Sequence, residues 1–167
     1  MTEMDRYDWL SFRGGDPLAF GRIYDRNKDR LLTYCVHLGL TREGGEDVLQ
    51  EAFAQLARQR GEIESIRNWL FVSVRNHCLN QLKRLRREMS PPDAATVSSE
   101  IDPEAAEFIE RVLKRLLPGE RELILLRELH GFSARELADM QNTSEEAIRV
   151  RLYRIRKRMH ELGKVLI

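Results

Sequence analysis

The sequence predicts an all-α protein made of two small helical domains. Apolar residues recur at steps of three and four along most of the 167-residue chain, which is the period of an α-helix. No segment alternates apolar and polar residues as a β-strand does. The helical period lapses once, at residues 89–103, where prolines, serines and acids are mixed. This composition buries little surface, so it predicts a flexible acidic linker between the two domains.

Three helices are predicted in the first domain, residues 14–88. The first carries apolar residues at helical spacing from Phe20 to Leu38 and ends at a Gly-Leu pair. The second covers Asp47–Ala57, and Gly61 then marks a loop. The third begins near Ser65 and runs to the basic sequence KRLRR.

Four helices are predicted in the second domain, residues 104–164. Asp102 and Pro103 form a suitable cap and first-turn proline for the first of them. The predicted helices are Glu104–Leu117, Gly119–Leu129, Ser133–Met140 and Ser144 to about Leu162.

The last two predicted helices have the pattern of a DNA-binding helix-turn-helix. Gly131 ends the preceding helix, and Ser133 with Glu136 three residues later forms a capping box. In the turn QNTS, Asn142 is the residue best suited to a left-handed conformation, and Ser144 caps the next helix. A short helix, a tight turn and a longer basic helix together predict DNA binding.

Successive residues of the basic helix are about 100° apart around its axis, so each residue can be assigned to one face of the helix. One stripe faces the core and consists of Ile148, Leu152, Ile155 and Met159. The opposite arc suits a recognition helix in the major groove, with Arg donors for guanine edges, and consists of Arg149, Val150, Tyr153, Arg154 and Lys157. The flanks, where phosphates would lie, carry Arg151, Arg156 and Arg158.

The charge pattern favours DNA binding over a merely solvated helix. The chain has a formal net charge of +1, but 23 of its 28 basic residues are arginines. After Glu146 the only acid is Glu161, so the Glu-to-Lys pairs of an ordinary solvated helix are scarce. A second basic block runs from Arg75 to Arg87 without an acid. Segregated charge of this kind predicts local surfaces for a polyanion.

Other classes of site find little support in the sequence. Cys35 and Cys78 lie far apart within apolar helical patterns, which favours two small buried side chains over a disulfide. The four histidines do not converge with Cys or acids at metal-ligand spacing, so neither a metal nor a cofactor is expected. No cluster of nucleophile, base and acid suggests an enzyme. The N-terminus lacks a signal sequence and no apolar run could span a membrane, which predicts a cytoplasmic protein.

Several stretches, in order along the chain, resemble conserved regions of bacterial sigma factors of the extracytoplasmic-function (ECF) class. They are DPLAFGRIYDRNKDRLLTYC, EDVLQEAF, NWLFVSVRNHCLNQLKRLRR, LPGERELILLRELHGFSARELADM and SEEAIRVRLYRIRKRM. The resemblance implies a two-domain initiation factor that is not an enzyme. Region 2 would bind the clamp of core RNA polymerase and melt the minus-10 element. Region 4 would bind the polymerase flap and read minus-35, and an anti-sigma factor is a further partner that the resemblance suggests.

The resemblance also implies site residues in the first domain. Its clamp-binding segment would comprise Asp47, Gln50, Glu51 and Phe53, although Phe53 is at least as well explained as a core residue. The loop Gly61–Arg67 would cradle a flipped base, while amides and cations on the next helix hold the strand. The predicted minus-10 residues are Glu62, Arg67, Asn76, Asn80, Lys83, Arg84, Arg86 and Arg87. Trp69 is interpreted as core more readily than as a base-stacking residue.

The alternative function is an ordinary helix-turn-helix regulator whose first domain senses a ligand or dimerises. Such a domain should offer an apolar pocket, whereas RNHCLNQLKRLRR predicts a basic surface. Departures from the family pattern occur in the turn, where Gln141, Asn142 and Thr143 replace the usual apolar residue, glycine and aliphatic residue.

Overall fold

The computed structural model describes residues 2–88 and 103–166, and it contains eight helices and no strand in these ranges. The chain divides into two compact units, Met1–Val97 and Ser98–Ile167. The predicted all-α class with two helical domains is therefore confirmed. The predicted linker, and Asp102 as a cap, lie outside the described residues, but Pro103 is the first residue of a helix.

The first unit contains one helix more than the sequence predicted. Its helices are α1 (Thr2–Arg13), α2 (Pro17–His37), α3 (Arg42–Arg58) and α4 (Ile66–Glu88). The last three correspond to the predicted helices. The additional helix, α1, packs against α2 and α4 and buries Trp9. The folded unit therefore extends to the N-terminal side of residue 14, where the predicted domain began.

Side-chain caps define where α2, α3 and α4 begin. The Asp16 carboxylate accepts a hydrogen bond from a backbone N–H in the first turn of α2. The hydroxyls of Thr41 and Ser65 do the same for α3 and α4, at 3.1 and 3.2 Å. Each cap satisfies a backbone donor that the helix itself leaves without an acceptor. The start of α4 after Ser65 is as predicted.

A core of apolar side chains joins α2, α3 and α4. Ile23 and Leu31 of α2, Leu56 of α3 and Leu70 of α4 have no exposed surface. The rings of Tyr34 and Phe71 also meet across α2 and α4, with centroids 5.2 Å apart. This core fixes the position of α4, the helix that carries the predicted minus-10 residues.

A buried polar network fastens α1 to α2. Asp5 and Asp8 of α1 are each only 4% exposed. Arg22 donates to Asp8 Oδ1 at 2.8 Å, and Arg26 donates to Asp8 Oδ2 at 2.5 Å and to Asp5 Oδ1 at 2.9 Å. Burial alone raises the pKa of Asp8, but the hydrogen bonds from Arg26 and Arg22 outweigh it and hold that pKa below the ordinary value of 3.8.

Asp8→Asn should destabilise the first unit by about 1–2 kcal/mol at pH 7. A charged hydrogen bond contributes about 1.5–3 kcal/mol, and we reduce that figure because the Arg22 side chain is still 46% exposed. The folded-state pKa is lowered, so the carboxylate contributes stability above pH about 4, and this contribution is lost as the pH falls further. In urea unfolding, the difference in stability between wild type and Asp8→Asn should be full at pH 7 and should shrink progressively as the pH falls below about 4. A constant difference at every pH would contradict this account.

Close approach of α3 to α2 depends on Gly45. A Cβ at this position would lie 2.8 Å from Leu32 Cδ1 and 3.0 Å from Cys35 Cβ, which is closer than such atoms approach in proteins. The close packing of α3 against α2 therefore requires a residue without a side chain at position 45.

Gly45→Ala should lower the free energy of unfolding by about 1–2 kcal/mol. Overpacking costs about 1–3 kcal/mol, and the better helix propensity of alanine returns about 0.5–1 kcal/mol. The matched control is Gly21→Ala, because an added Cβ there meets nothing within 4 Å. In urea titrations, Gly45→Ala should unfold earlier and Gly21→Ala slightly later than wild type. Equal shifts of the urea midpoints of the two variants in the same direction would contradict close packing at Gly45.

The second unit contains the four predicted helices with small changes at their ends. They are α5 (Pro103–Lys114), α6 (Pro118–Glu128), α7 (Ala134–Gln141) and α8 (Glu145–Leu166). Helix α5 stops three residues before its predicted end at Leu117. The cause is Pro118, which holds Leu117 in an extended conformation with φ −61° and ψ 148°. Helices α5, α6 and α7 all contact α8.

Candidate nucleic-acid interface

The helix-turn-helix forms as the sequence predicts. The Ser133 hydroxyl accepts from Glu136 N at 3.1 Å, and the Glu136 carboxylate accepts from Ser133 N at 2.8 Å. Asn142 adopts φ 50° and ψ 52°, so it makes the left-handed turn that more often requires glycine. Ser144 then caps α8 by accepting from Ala147 N at 3.1 Å. These local hydrogen bonds fix the direction in which α8 leaves the turn.

Helix α8 has the buried and exposed faces that its sequence predicts. Ile148, Leu152 and Ile155 are at most 3% exposed, and Met159 is half-buried at the end of the same stripe. On the opposite face, Tyr153 is 68% exposed. The exposed residues of that face are Arg149, Val150, Tyr153, Arg154 and Lys157. Among residues 103–166, no helix covers them, so this face of the second unit is open to a partner.

Several arginines of α8 are paired with acids or amides from nearby elements. Arg149 contacts Glu145 one turn earlier at 2.5 Å. On the flanks, Arg151 donates to Gln141 Oε1 at 2.5 Å. Arg156 and Arg158 form ion pairs with acids of α6; the pairs are Arg156–Glu128 at 2.6 Å and Arg158–Glu120 at 3.1 Å.

These contacts correct the expectation that α8 lacks acidic partners. The acids come from its own first turn and from α6, rather than from the segment after Glu146. Arg154 and Lys157 differ from these four arginines, since neither has a hydrogen-bond or ion-pair partner within the described parts of the chain. Exposed ion pairs contribute only about 0–1 kcal/mol each. A phosphate can therefore replace Glu128 or Glu120 at little cost, whereas Arg154 needs no such exchange.

The predicted minus-10 residues lie on α4 and on the loop before it. Asn76 and Asn80 are exposed one turn apart, as expected for one face of the helix. The exposed cations of the last turns of α4 are Lys83, Arg84, Arg86 and Arg87. Glu62 is exposed in the loop. Arg67, predicted to end the loop, is instead half-buried in the first turn of α4, because α4 begins at Ile66. Trp69 is also half-buried, which leaves it between the two interpretations made from the sequence.

Contacts outside the predicted set hold this loop and helix in place. Arg13 of α1 donates to the carbonyl oxygen of Gly61 at 3.2 Å, so the additional helix reaches the loop. Ser73 donates to Gln55 Oε1 at 2.9 Å, and His77 Nε2 lies 3.3 Å from the same oxygen. Gln55 thus joins α3 to α4. These contacts cross between elements, so no local sequence signal marks them.

The predicted polymerase-binding residues on α3 separate into two groups. Asp47, Gln50 and Glu51 are exposed. Phe53 is only 4% exposed, so its assignment to a surface anchor is wrong and its interpretation as a core residue is confirmed. Its ring packs against Tyr24 at 4.9 Å and Phe20 at 6.1 Å. Phe53 therefore orients α3 by holding it against α2.

The described residues contain neither a metal-ligand cluster nor a membrane-spanning helix. Across 2–88 and 103–166, no three His, Cys, Asp or Glu side chains are grouped as metal ligands. In these same ranges, no helix is both long and apolar enough to cross a membrane.

Comparisons with known proteins match both units to one family. Residues 23–88 match the family model of sigma-70 region 2, and residues 108–159 match that of sigma-70 region 4. The two matches lie in the first and second unit respectively. They account for the basic α4 and for the helix-turn-helix together, which an ordinary regulator with a sensor domain does not.

Individual relatives agree with the family models. The RNA polymerase sigma factor CarQ of Myxococcus xanthus is 26% identical over 161 residues, covering 90% of this chain and 92% of the relative. The ECF RNA polymerase sigma factor SigM of Mycobacterium tuberculosis is 27% identical over 154 residues, covering 89% and 79%. The fold matches that of the sigma factor RpoE in its complex with the anti-sigma factor NepR from Bartonella quintana, with TM-score 0.68, 23% identity and coverage of 87% and 97%. The chain belongs to the sigma-70 family of RNA polymerase sigma factors, in its ECF class.

Proposed function

We propose that the first unit binds core RNA polymerase and opens the minus-10 element, while the second unit reads minus-35. As a sigma factor, the protein directs promoter-specific transcription initiation. The observation that supports this division is the presence of two separate cationic helices, α4 and α8, each matched to a different sigma-70 region. The role is one of binding and DNA opening rather than catalysis, and we expect it to be exercised in the cytoplasm, where bacterial polymerase acts.

The proposed minus-35 contacts follow from the exposure of α8. Arg154 is exposed and has no ion-pair partner in the described chain, so its guanidinium is available for a guanine edge. Tyr153 and Val150 offer apolar surface beside it for a thymine methyl group. Arg151, Arg156 and Arg158 on the flanks are proposed to hold phosphates, and Lys157 is proposed to contact DNA from the exposed face beside Arg154. Arg149 is proposed to read a base after its exposed pair with Glu145 opens.

The proposed minus-10 contacts follow from the arrangement of α4. Exposed amides at Asn76 and Asn80 can hydrogen-bond the edges of unstacked bases. The cations that follow them, Lys83, Arg84, Arg86 and Arg87, can track the sugar-phosphate backbone. Glu62 and Arg67 are proposed to line the loop that receives a flipped base. Arg13 supports this loop from behind by its bond to Gly61.

The proposed polymerase contact on α3 uses its exposed polar residues Asp47, Gln50 and Glu51. Flap binding is proposed for the second unit, and an anti-sigma factor is proposed as a further partner because RpoE was solved with one. The test is co-elution of the purified protein with core RNA polymerase in size-exclusion chromatography. The wild type should co-elute with the polymerase, and so should a control variant at the exposed residue Glu3 of α1, Glu3→Lys. Co-elution of the double variant Asp47→Arg/Glu51→Arg should be reduced. Equal co-elution of all three proteins would remove α3 from the interface, and failure of the wild type would reject polymerase binding.

A further inference from the structure

Two cysteines that are distant in sequence meet inside the first unit. Cys35 of α2 and Cys78 of α4 are 43 residues apart, and their sulfur atoms lie 3.4 Å from each other. Both side chains are reduced thiols with no exposed surface. The sequence predicted two buried side chains correctly, but it gave no sign that they would touch.

The helices that carry the two cysteines are closely packed. The rings of Tyr34 and Phe71 meet across α2 and α4. Gly45 allows α3 to approach Cys35 so closely that an added Cβ would be 3.0 Å from the Cys35 Cβ. A disulfide needs sulfurs about 2.05 Å apart. The two sulfur atoms, which are 3.4 Å apart, must therefore approach each other by rotation of their side chains or a small shift of α2 against α4.

We propose that Cys35 and Cys78 form a modification site at which hydrogen peroxide generates an intramolecular disulfide. One sulfur attacks a peroxide oxygen, the O–O bond breaks, and a sulfenic acid forms with release of water. The second sulfur then attacks the sulfenic sulfur, the S–O bond breaks, and a second water leaves. Two thiols are oxidised by two electrons in total and one peroxide is reduced to two waters. An added dithiol reduces the disulfide back to two thiols by thiol–disulfide exchange.

The cross-link would connect α2 to α4 through the core. Closing a loop of 43 residues restricts the unfolded chain, so the oxidised first unit should resist unfolding better than the reduced one. Because both thiols are buried, peroxide must wait for local opening of the unit. Oxidation should therefore be slower in the folded protein than in urea. The inference is independent of the proposed DNA contacts.

The test treats the full-length wild-type protein with hydrogen peroxide and then alkylates it in denaturant for mass spectrometry. We expect a monomer that has lost two hydrogen atoms and takes up no alkyl group, with one cross-linked peptide containing Cys35 and Cys78. Dithiothreitol should restore two alkylation sites. The proposal is overturned if both thiols of the folded protein stay alkylatable after a peroxide treatment extended well beyond the time that fully oxidises the protein in urea. It is equally overturned if only oxygen adducts or disulfide-linked dimers appear.

Two single variants separate the cross-link from other oxidation. Cys35→Ala and Cys78→Ala each retain one thiol and cannot form the internal disulfide. Peroxide should raise the urea midpoint of the wild type, and dithiothreitol should lower it again, while neither variant should respond. A shift of the same size in a single variant would show that the disulfide is not its cause. Should a variant fail to fold, the cross-linked peptide of the wild type still decides the question.

Discussion

Ile148→Ala should lower the free energy of unfolding of the second unit by about 2–5 kcal/mol, which is the usual cost of truncating a buried isoleucine. Ile148 has no exposed surface and lies on the stripe that packs α8 against the rest of the unit. The loss should be seen as an earlier transition in urea, followed by a probe in the second unit. We also expect Ile148→Ala to abolish transcription, because α8 would no longer be packed firmly against the rest of the second unit.

The matched control for this substitution lies two residues away. Val150 is 48% exposed on the opposite face of α8, so Val150→Ala should change stability by less than about 0.5 kcal/mol. A probe in the first unit should report little change in either variant if the units unfold independently. Equal destabilisation by Ile148→Ala and Val150→Ala would mean that the two faces of α8 have been assigned incorrectly.

Arg154→Ala should reduce transcription from a cognate promoter by about 10- to 100-fold, corresponding to about 1–3 kcal/mol for one bidentate base contact. The reduction should depend on particular minus-35 bases, because Arg154 lies on the exposed face opposite the core. The measurement is run-off transcription across promoters with single base changes in minus-35. On a promoter already altered at the contacted base, wild type and Arg154→Ala should perform alike.

The control for the loss of an arginine as such is Arg86→Ala on α4. Arg86 is exposed near the basic end of that helix and is proposed to contact phosphate. Its removal should weaken activity by a similar factor on every minus-35 variant and should reduce the dependence on salt. A uniform loss with Arg154→Ala as well would reject its assignment to base readout.

The parts of the fold that were predictable from the sequence depend on local chemistry. The capping box of Ser133 and Glu136 spans three residues, and the left-handed Asn142 follows from its own short side chain. The faces of α8 follow from helical periodicity alone. In each case the relevant atoms are close together in the chain, so their pattern can be recognised without the tertiary structure.

Helix α1 was not predicted because its buried face is only partly apolar. Three of its large apolar residues, Met4, Tyr7 and Leu10, are 59–72% exposed, while Asp5 and Asp8 are buried beside Trp9. A search for an apolar stripe misses such a helix, since part of its inner surface consists of ion pairs with arginines of another element.

The beginning of α3 was also missed, and for a related reason. Gly44 and Gly45 disfavour a helix by about 1 kcal/mol each, so the sequence placed its start at Asp47 rather than Arg42. In the folded unit, Gly45 allows α3 to pack closely against Leu32 and Cys35 of α2. The ion pairs of Arg156 and Arg158 with α6, and the contact between the two cysteines, also form only in the tertiary structure. No local pattern in the sequence could predict them.

Run-off transcription with purified core RNA polymerase distinguishes a sigma factor from a DNA-binding regulator. The template should carry a promoter mapped by sequencing the 5′ ends of transcripts made when the protein is overproduced. A sigma factor should give a discrete transcript when core polymerase and this protein are both present, and none with either alone. Tight binding of the isolated protein to that duplex, with no transcript when polymerase is added, would contradict its role as a sigma factor.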